Sequence, residues 1–283
     1  DADITVGGEL ETLRVGTVVL AAGWKPYDAT KLVKLGYGLS KDVITNIEME
    51  EMAKAGKIVR PSDGKAPESV AFIQCAGSRD PEHLPYCSDF CCTASLKQAL
   101  YVREQNPNAI AYILYKDIRT PGQTELFYKQ VQSDPGVMLT KAEIGEVALG
   151  DGGKLRISAT DTLLGANVAF EADLVVLATG MVPATADEAV LNLGYRQGPN
   201  LPDLELFSGF ADSNFICFPY ETRRTGIFAA GCVHQPMNMA MATEDGVGAA
   251  CKAIQAAEHV AAGMAVSPRA WDITFPDPFM QRC

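Results

Sequence analysis

The sequence predicts an α/β protein built on parallel sheet, and three observations carry that prediction. The run "VVLAAGWKP" (18–26) recurs as "VVLATGMVP" (175–183), and "GIFAAGC" (226–232) has the same character. Unbroken β-branched and aliphatic runs of this length suit strands covered on both faces, as parallel strands are. The Gly at each strand end permits a tight turn or a ligand's close approach. Between the first two runs, strand and helix patterns alternate, the plan of a nucleotide-binding unit.

In chain order, "DADITVGGELETLRVG" (1–16) enters a β-hairpin, and 27–66 reads as a connector punctuated by "RPSDGKAPES". "ESVAFIQCAG" (68–77) reads as a buried strand and "CTASLKQALYVREQ" (92–105) as a helix with Ala94, Leu96, Ala99, Leu100 and Val102 on its apolar face. A strand at 109–117 and a helix at 122–133 follow. Strands are then expected at 137–142, at 146–151 and within 154–180, with turns at "GDGG" and "LLGAN". A loop-rich stretch after 183 leads to the third run. The chain then enters a long Ala-rich helix over 239–263, whose Ala240, Ala249, Ala250, Ala253 and Ala257 suit close packing on a sheet.

The composition narrows the function. The 283 residues carry a net charge of −11, with 47% hydrophobic and 21% charged residues. An acidic chain without a long basic run is a poor nucleic-acid binder, because phosphate neutralisation dominates such binding. No apolar stretch reaches spanning length, so direct membrane insertion is not expected. The N-terminus lacks a basic and apolar leader. Both ends read as cut, the last in the Pro-rich "DITFPDPFMQRC", and the chain is expected to be a fragment of a longer protein.

Eight cysteines stand at 75, 87, 91, 92, 217, 232, 251 and 283, and the first four are clustered as Cys75 in "FIQCAGSRD" and Cys87, Cys91 and Cys92 in "YCSDFCC". Clustering in a large chain without a secretion signal favours a reducing compartment with metal or redox chemistry over a disulfide frame. Cys87 and Cys91 share a face if the helix has begun, and Cys92 is turned from Cys91 by roughly 100°. Adjacent thiolates fit poorly around one tetrahedral Zn. A dithiol couple would lack the C-x-x-C loop. A four-iron cubane is wider, and its corners can be met by side chains diverging from a helix start. Free N–H groups and the positive end of the helix dipole favour an anionic group there. "QCAGSRD" has one Gly where a dinucleotide loop wants three. On spacing alone cluster, dithiol, zinc and unligated thiols all stay open.

"YETRRTGIFAAGC" with its Ala-rich helix resembles the flavin-binding return segment of two-dinucleotide-domain flavoprotein reductases, in which a Thr sits where Thr222 does. "SVAFIQCAGSRD" with "YCSDFCCTASLKQALYVRE" resembles, more narrowly, the A-type flavoprotein family of the heterodisulfide reductases. Within that family the likeness is to the B-type flavoprotein of the quinone-interacting membrane-bound oxidoreductase complex. The resemblance implies a Rossmann-like FAD/NAD(P)-binding fold like that of thioredoxin reductase, with the N-terminal half of the FAD domain upstream of this sequence. On that plan 1–26 would be the last strands of the FAD-type domain and 27–66 the connector. Residues 67–184 would be the NAD(P)-type domain bearing the cysteines, 185–270 the return segment and long helix, and 271–283 a tail toward a ferredoxin-like region.

The resemblance also implies a [4Fe–4S] cluster on Cys75, Cys87, Cys91 and Cys92. It implies FAD in the complete protein, near Gly23, Gly231, Cys232, His234, Gln235, Met239 and Ala240. Cys232 stands where ordinary reductases place the Asp that holds the ribityl chain, which removes one flavin contact. The implied function is electron transfer between a membrane quinone pool and sulfate-reduction enzymes such as adenylylsulfate reductase. The implied location is cytoplasmic, with membrane association through partner subunits. Two rivals remain: an NAD(P)H-dependent flavin disulfide reductase using Cys91 or Cys92, and a docking scaffold without catalysis. Cys217 and Cys251 read as packing residues, Cys283 as a stub of a further motif, His83 as a loop residue, His259 as a helix-surface residue and "MNMAM" (237–241) as helix-entry packing. Lys25, Arg79, Arg223 and Arg224 read equally as pyrophosphate contacts or solvated loop cations.

Overall fold

The computed structural model describes residues 2–186, 207–211, 219–222, 224 and 226–264. The chain divides into two compact units, one formed by Asp1–Lys25 with Val182–Cys283 and the other by Pro26–Met181. Cys217, Cys283, Arg223 and the 271–283 tail lie outside the described residues.

In the first unit β1 (Ala2–Val6) and β2 (Glu9–Leu13) form an antiparallel hairpin. Gly7 and Gly8 turn it with φ of 60° and 90°, which side chains disfavour. β3 (Val18–Leu20) follows, and then β4 (Trp24–Pro26), which leads into the second unit.

The second unit begins its sheet with β5 (Val43–Thr45), followed at once by α1 (Asn46–Lys54). Both lie in the stretch whose punctuation suggested a plain connector; three strand residues and nine helical ones give too short a periodicity to read. A capping box starts α1. Thr45 Oγ1 accepts the Glu48 N–H at 3.2 Å, and the Glu48 carboxylate accepts the Thr45 N–H at 2.6 Å. Thr45→Ala is expected to destabilise the fold by about 1 kcal/mol, read as a lower urea midpoint at unchanged slope.

The sheet continues through β6 (Ser69–Ala76), α2 (Cys91–Gln105), β7 (Ile110–Tyr115), α3 (Thr124–Gln132), β8 (Val137–Leu149), β9 (Leu155–Asp161), β10 (Ala166–Ala172) and β11 (Leu174–Thr179). Its seven strands run in the order β10-β9-β8-β7-β6-β11-β5. The pairings from β8 through β7, β6 and β11 to β5 are parallel, and β9 and β10 add antiparallel. β6 and β11 are buried along nearly their whole length, as their unbroken apolar runs predict. Val70, Phe72 and Val176 pack on Leu96, Ala99 and Val102 of α2 in the main core. Two strands expected at 137–142 and 146–151 are one, β8. Its register shifts between Ile144 and Glu146, and a Cβ at Gly145 would lie 3.3 Å from the Ser158 carbonyl oxygen. A bulge there bends the strand without ending it.

The chain returns to the first unit through β12 (Met181–Pro183), which pairs with β4. β13 (Ile227–Ala229) pairs parallel with β3, and α4 (Met239–Ala261) follows. On α4 the buried alanines are Ala249, Ala253 and Ala256, at i, i+4 and i+7, packed in part on Phe228. Ala240 and Ala250, also expected to pack, face away from that stripe and are exposed.

Candidate functional site

The four clustered cysteines belong to one end of the second unit, where β6 hands over to α2. Cys75 closes β6 in an unusual way. Opposite the pair Gln74–Cys75 the partner strand β11 has a single residue, Ala178, so β6 carries a bulge. Cys75 takes φ of 54° there. A left-handed non-glycine residue is held only where its surroundings over-determine it, and a bulge re-aims the side chain it carries. Arg79 and Asp89, at φ of 54° and 63°, repeat the conformation in the loop that follows.

That loop is a built structure. The Gly77 carbonyl accepts the Leu84 N–H at 2.9 Å and the Tyr86 carbonyl accepts the Arg79 N–H at 2.9 Å. The Ser78 and Ser88 hydroxyls bond each other at 3.0 Å, and Ser88 Oγ also accepts the Met181 N–H at 3.0 Å. Tyr86 donates to the Met181 carbonyl at 2.8 Å, and burial pushes its phenol up to about 12. His83 Nδ1 lies 2.8 Å from the Tyr27 hydroxyl, a loop role as expected. These bonds fix Cys87 beside the first turn of α2. There Cys91 and Cys92 are 6% and 7% exposed, with no acidic residue and no side-chain cap at the helix start.

The thiols act on one another. Burial pushes Cys91 well above the ordinary thiol range, and Cys92, Cys75 and Cys87 each push it further. Burial likewise lifts Cys92 to about 11, with Cys75 and Cys87 adding to the rise. Cys75 is raised by burial and by Cys87 but drawn down by Arg79 and Lys116. The Arg119 N–H donates to Cys92 Sγ at 3.4 Å, and Cys91 Sγ donates to the Thr179 carbonyl at 3.6 Å. Among the described residues no three His, Cys, Asp or Glu side chains are close enough to share a single metal ion. Beneath the cysteines, Gln74 is 4% exposed with neither amide atom partnered, and Ser95 Oγ, one turn along from Cys91, is buried and unpartnered. Orphaned polar atoms at this depth call for a polar or anionic companion.

In the first unit, β13 ends at Gly231, whose φ is 72°. Its N–H donates to Asp245 Oδ2 of α4 at 2.7 Å, and the second carboxylate oxygen, Oδ1, lies 3.0 Å from Nδ1 of the buried His234. The carboxylate missing at Cys232 is therefore supplied to this corner from α4. No local pattern in the sequence marks Asp245, fourteen residues along; the signal was the empty place at Cys232. Cys232 is half-buried and its thiol donates to the Met237 carbonyl at 3.5 Å. Gln235 is half-buried, and Met239 and Ala240 form the exposed first turn of α4. The expectation that "MNMAM" packs at the helix entry holds for Met237, at 2% exposed, and fails for Met239, at 85%. The helix turns the odd positions outward after the Asn238 cap. Cys251, expected to pack, is exposed for the same rotational reason. Gly23 has φ of 72° with open space where a Cβ would stand. Asp245→Ala strands the Gly231 N–H and the His234 ring. It is expected to lower stability by about 1–3 kcal/mol, measured by urea unfolding.

No family model matches the chain. Among curated proteins it is 37% identical over 270 residues to an A-type iron-sulfur subunit (form 2) of the CoB--CoM heterodisulfide reductase of Methanopyrus kandleri, covering 92% of this chain and 40% of that one. It is also 37% identical over 247 residues to the A-type subunit of the H(2)/formate:CoB-CoM heterodisulfide,ferredoxin reductase of Methanococcus maripaludis, covering 84% and 36%. The thioredoxin reductase of Lactococcus lactis superposes with a TM-score of 0.56 at 15% identity, over 91% of this chain and 70% of the other. That likeness shows the fold, the FAD/NAD(P)-binding fold expected from the sequence. The chain spans about two fifths of the length of the curated relatives it matches. Over that length it is like the A-type flavoprotein of the heterodisulfide reductases.

Proposed function

We propose that the chain is an electron-transfer module of a flavin and iron–sulfur oxidoreductase, with Cys75, Cys87, Cys91 and Cys92 holding a [4Fe–4S] cluster. The observation that carries the reading is the mutual electrostatic influence of the four thiols around the start of α2. The residues fit such a group. Its corners are too far apart to require the close grouping a single ion needs, four thiolates make it anionic, and the helix start offers N–H groups and a positive dipole end. The buried Gln74 amide and Ser95 hydroxyl add donors below the cysteines. When bound, the group would accept and release single electrons.

FAD belongs in the same reading to the first unit, near Gly23, Gly231, Cys232, His234, Gln235, Met239 and Ala240. Asp245 would orient His234 and pin the strand end. The relatives' names supply the wider setting of one component in a redox complex. The finer reading, from the motif resemblance, is a complex joining membrane quinone to adenylylsulfate reductase in the cytoplasm. Among the described residues no helix is long and apolar enough to cross a membrane, so membrane association would run through partner subunits. Anaerobic reconstitution with iron and sulfide tests the module. Four iron and four sulfide per chain, with an EPR signal on dithionite reduction, support the reading, and stoichiometric zinc with no signal overturns it. Binding of adenylylsulfate reductase to the full-length protein tests the finer setting.

A further inference from the structure

The loop cation nearest the cysteines is Arg79, and its placement is specific. The left-handed backbone at Arg79 sends its side chain back toward β7. There one nitrogen, Nη2, donates to Asp117 at 2.8 Å, and Asp117 is also held by Lys141 at 3.2 Å. The main chain is fixed as well, since the Arg79 N–H is bonded to the Tyr86 carbonyl and Lys116 Nζ lies 3.4 Å from the Arg79 carbonyl oxygen. The other terminal nitrogen, Nη1, is shut off from water and has no hydrogen-bond partner. A guanidinium with one buried, unused donor is costly unless an acceptor meets it. Of the groups around it, Cys75 feels it most directly: the charges of Arg79 and Cys75 each shift the other's ionisation toward the charged form.

We propose that Arg79 is a positioning residue for electron transfer, whose buried guanidinium faces the sulfur-bound group on Cys75 and sets its reduction potential. The inference rests on the cluster reading above. Each one-electron reduction, by dithionite in a titration, adds one negative charge to an already anionic group. A fixed cation beside it stabilises the reduced form more than the oxidised form. Asp117 anchors the guanidinium and keeps it from swinging to solvent.

The test is an EPR-monitored potentiometric titration of the reconstituted protein with Arg79→Gln, Arg79→Lys and the remote surface change Lys65→Gln. Arg79→Gln is expected to load iron normally yet show a reduced-to-oxidised ratio at least tenfold lower at the wild-type midpoint, a fall of about 59 mV for a one-electron couple. Arg79→Lys keeps the charge without the fork and is expected to fall between; Lys65→Gln should not move. If Arg79→Gln fails to load, a lowered midpoint in Arg79→Lys still supports the proposal. Variants that load fully and titrate at the wild-type midpoint overturn it while leaving the cluster reading intact. A wild-type protein that takes up no cluster removes the reading beneath and the proposal with it.

Discussion

Cys91→Ser protein, reconstituted anaerobically beside the wild type, is expected to lose the EPR signal of the reduced cluster and most of its bound iron. Cys91 is the most deeply set of the four thiols, and each of the other three raises its pKa by charge. Removing its sulfur takes away the ligand at the centre of the group, and a Ser hydroxyl is a far weaker partner for iron. The fold should survive, because Ser is close to Cys in size and the Thr179 carbonyl that now receives the thiol hydrogen can receive a hydroxyl instead. The same treatment of Cys251, exposed on α4, should leave iron content and signal unchanged. An undiminished signal in Cys91→Ser would move the ligands elsewhere.

Gly180→Ala is expected to destabilise the second unit by about 1–3 kcal/mol and to lower iron loading with it. Gly180 follows β11 at the Ala-Thr-Gly strand end. A Cβ there would fall on the Ser78 and Ser88 hydroxyl oxygens and within 2.9 Å of Leu84 Cδ1. Those groups form the brace that holds the Cys87 loop: Ser88 bonds both Ser78 and the Met181 N–H. A methyl group at 180 must therefore push the loop off the strand end and move Cys87 with it. Gly246, inside α4, has nothing within 4 Å of a built Cβ, so Gly246→Ala should stabilise by about 0.5–1 kcal/mol. Opposite signs for two identical substitutions, read from urea midpoints and iron content, test the steric account. Equal small effects would dismiss it.

The strands that could be read from the residues were those buried on both faces. β6, β7 and β11 carry unbroken apolar runs, and α2 declares itself through Leu96, Ala99 and Val102. What escaped was short or set by distant partners. β5 is three residues long and exists because β11 pairs with it. The continuity of β8 depends on a bulge opposite Ser158, which no local pattern announces. On α2, polar Ser95 and Gln98 are buried where an apolar face alone was expected, because they line the ground below the cysteines. The spacing of the four cysteines pointed to one helix start. The left-handed turn at Cys75 that aims it there is ordinarily a glycine's work, and so was illegible in a residue with a side chain. Asp245 and Arg79 reach their partners across folded distance, which composition and spacing do not record.

β4 and β12 pair with each other where the chain leaves the first unit and where it comes back. The cysteine-bearing unit is thus one uninterrupted stretch, from Pro26 to Met181, whose entrance and exit share a doorway. Segments with neighbouring ends can be spliced into or out of a host with little disturbance to either. The thiol-rich half of this molecule is therefore a cassette, transferable as a single piece of gene, whereas the half that holds α4 can be made only by joining two.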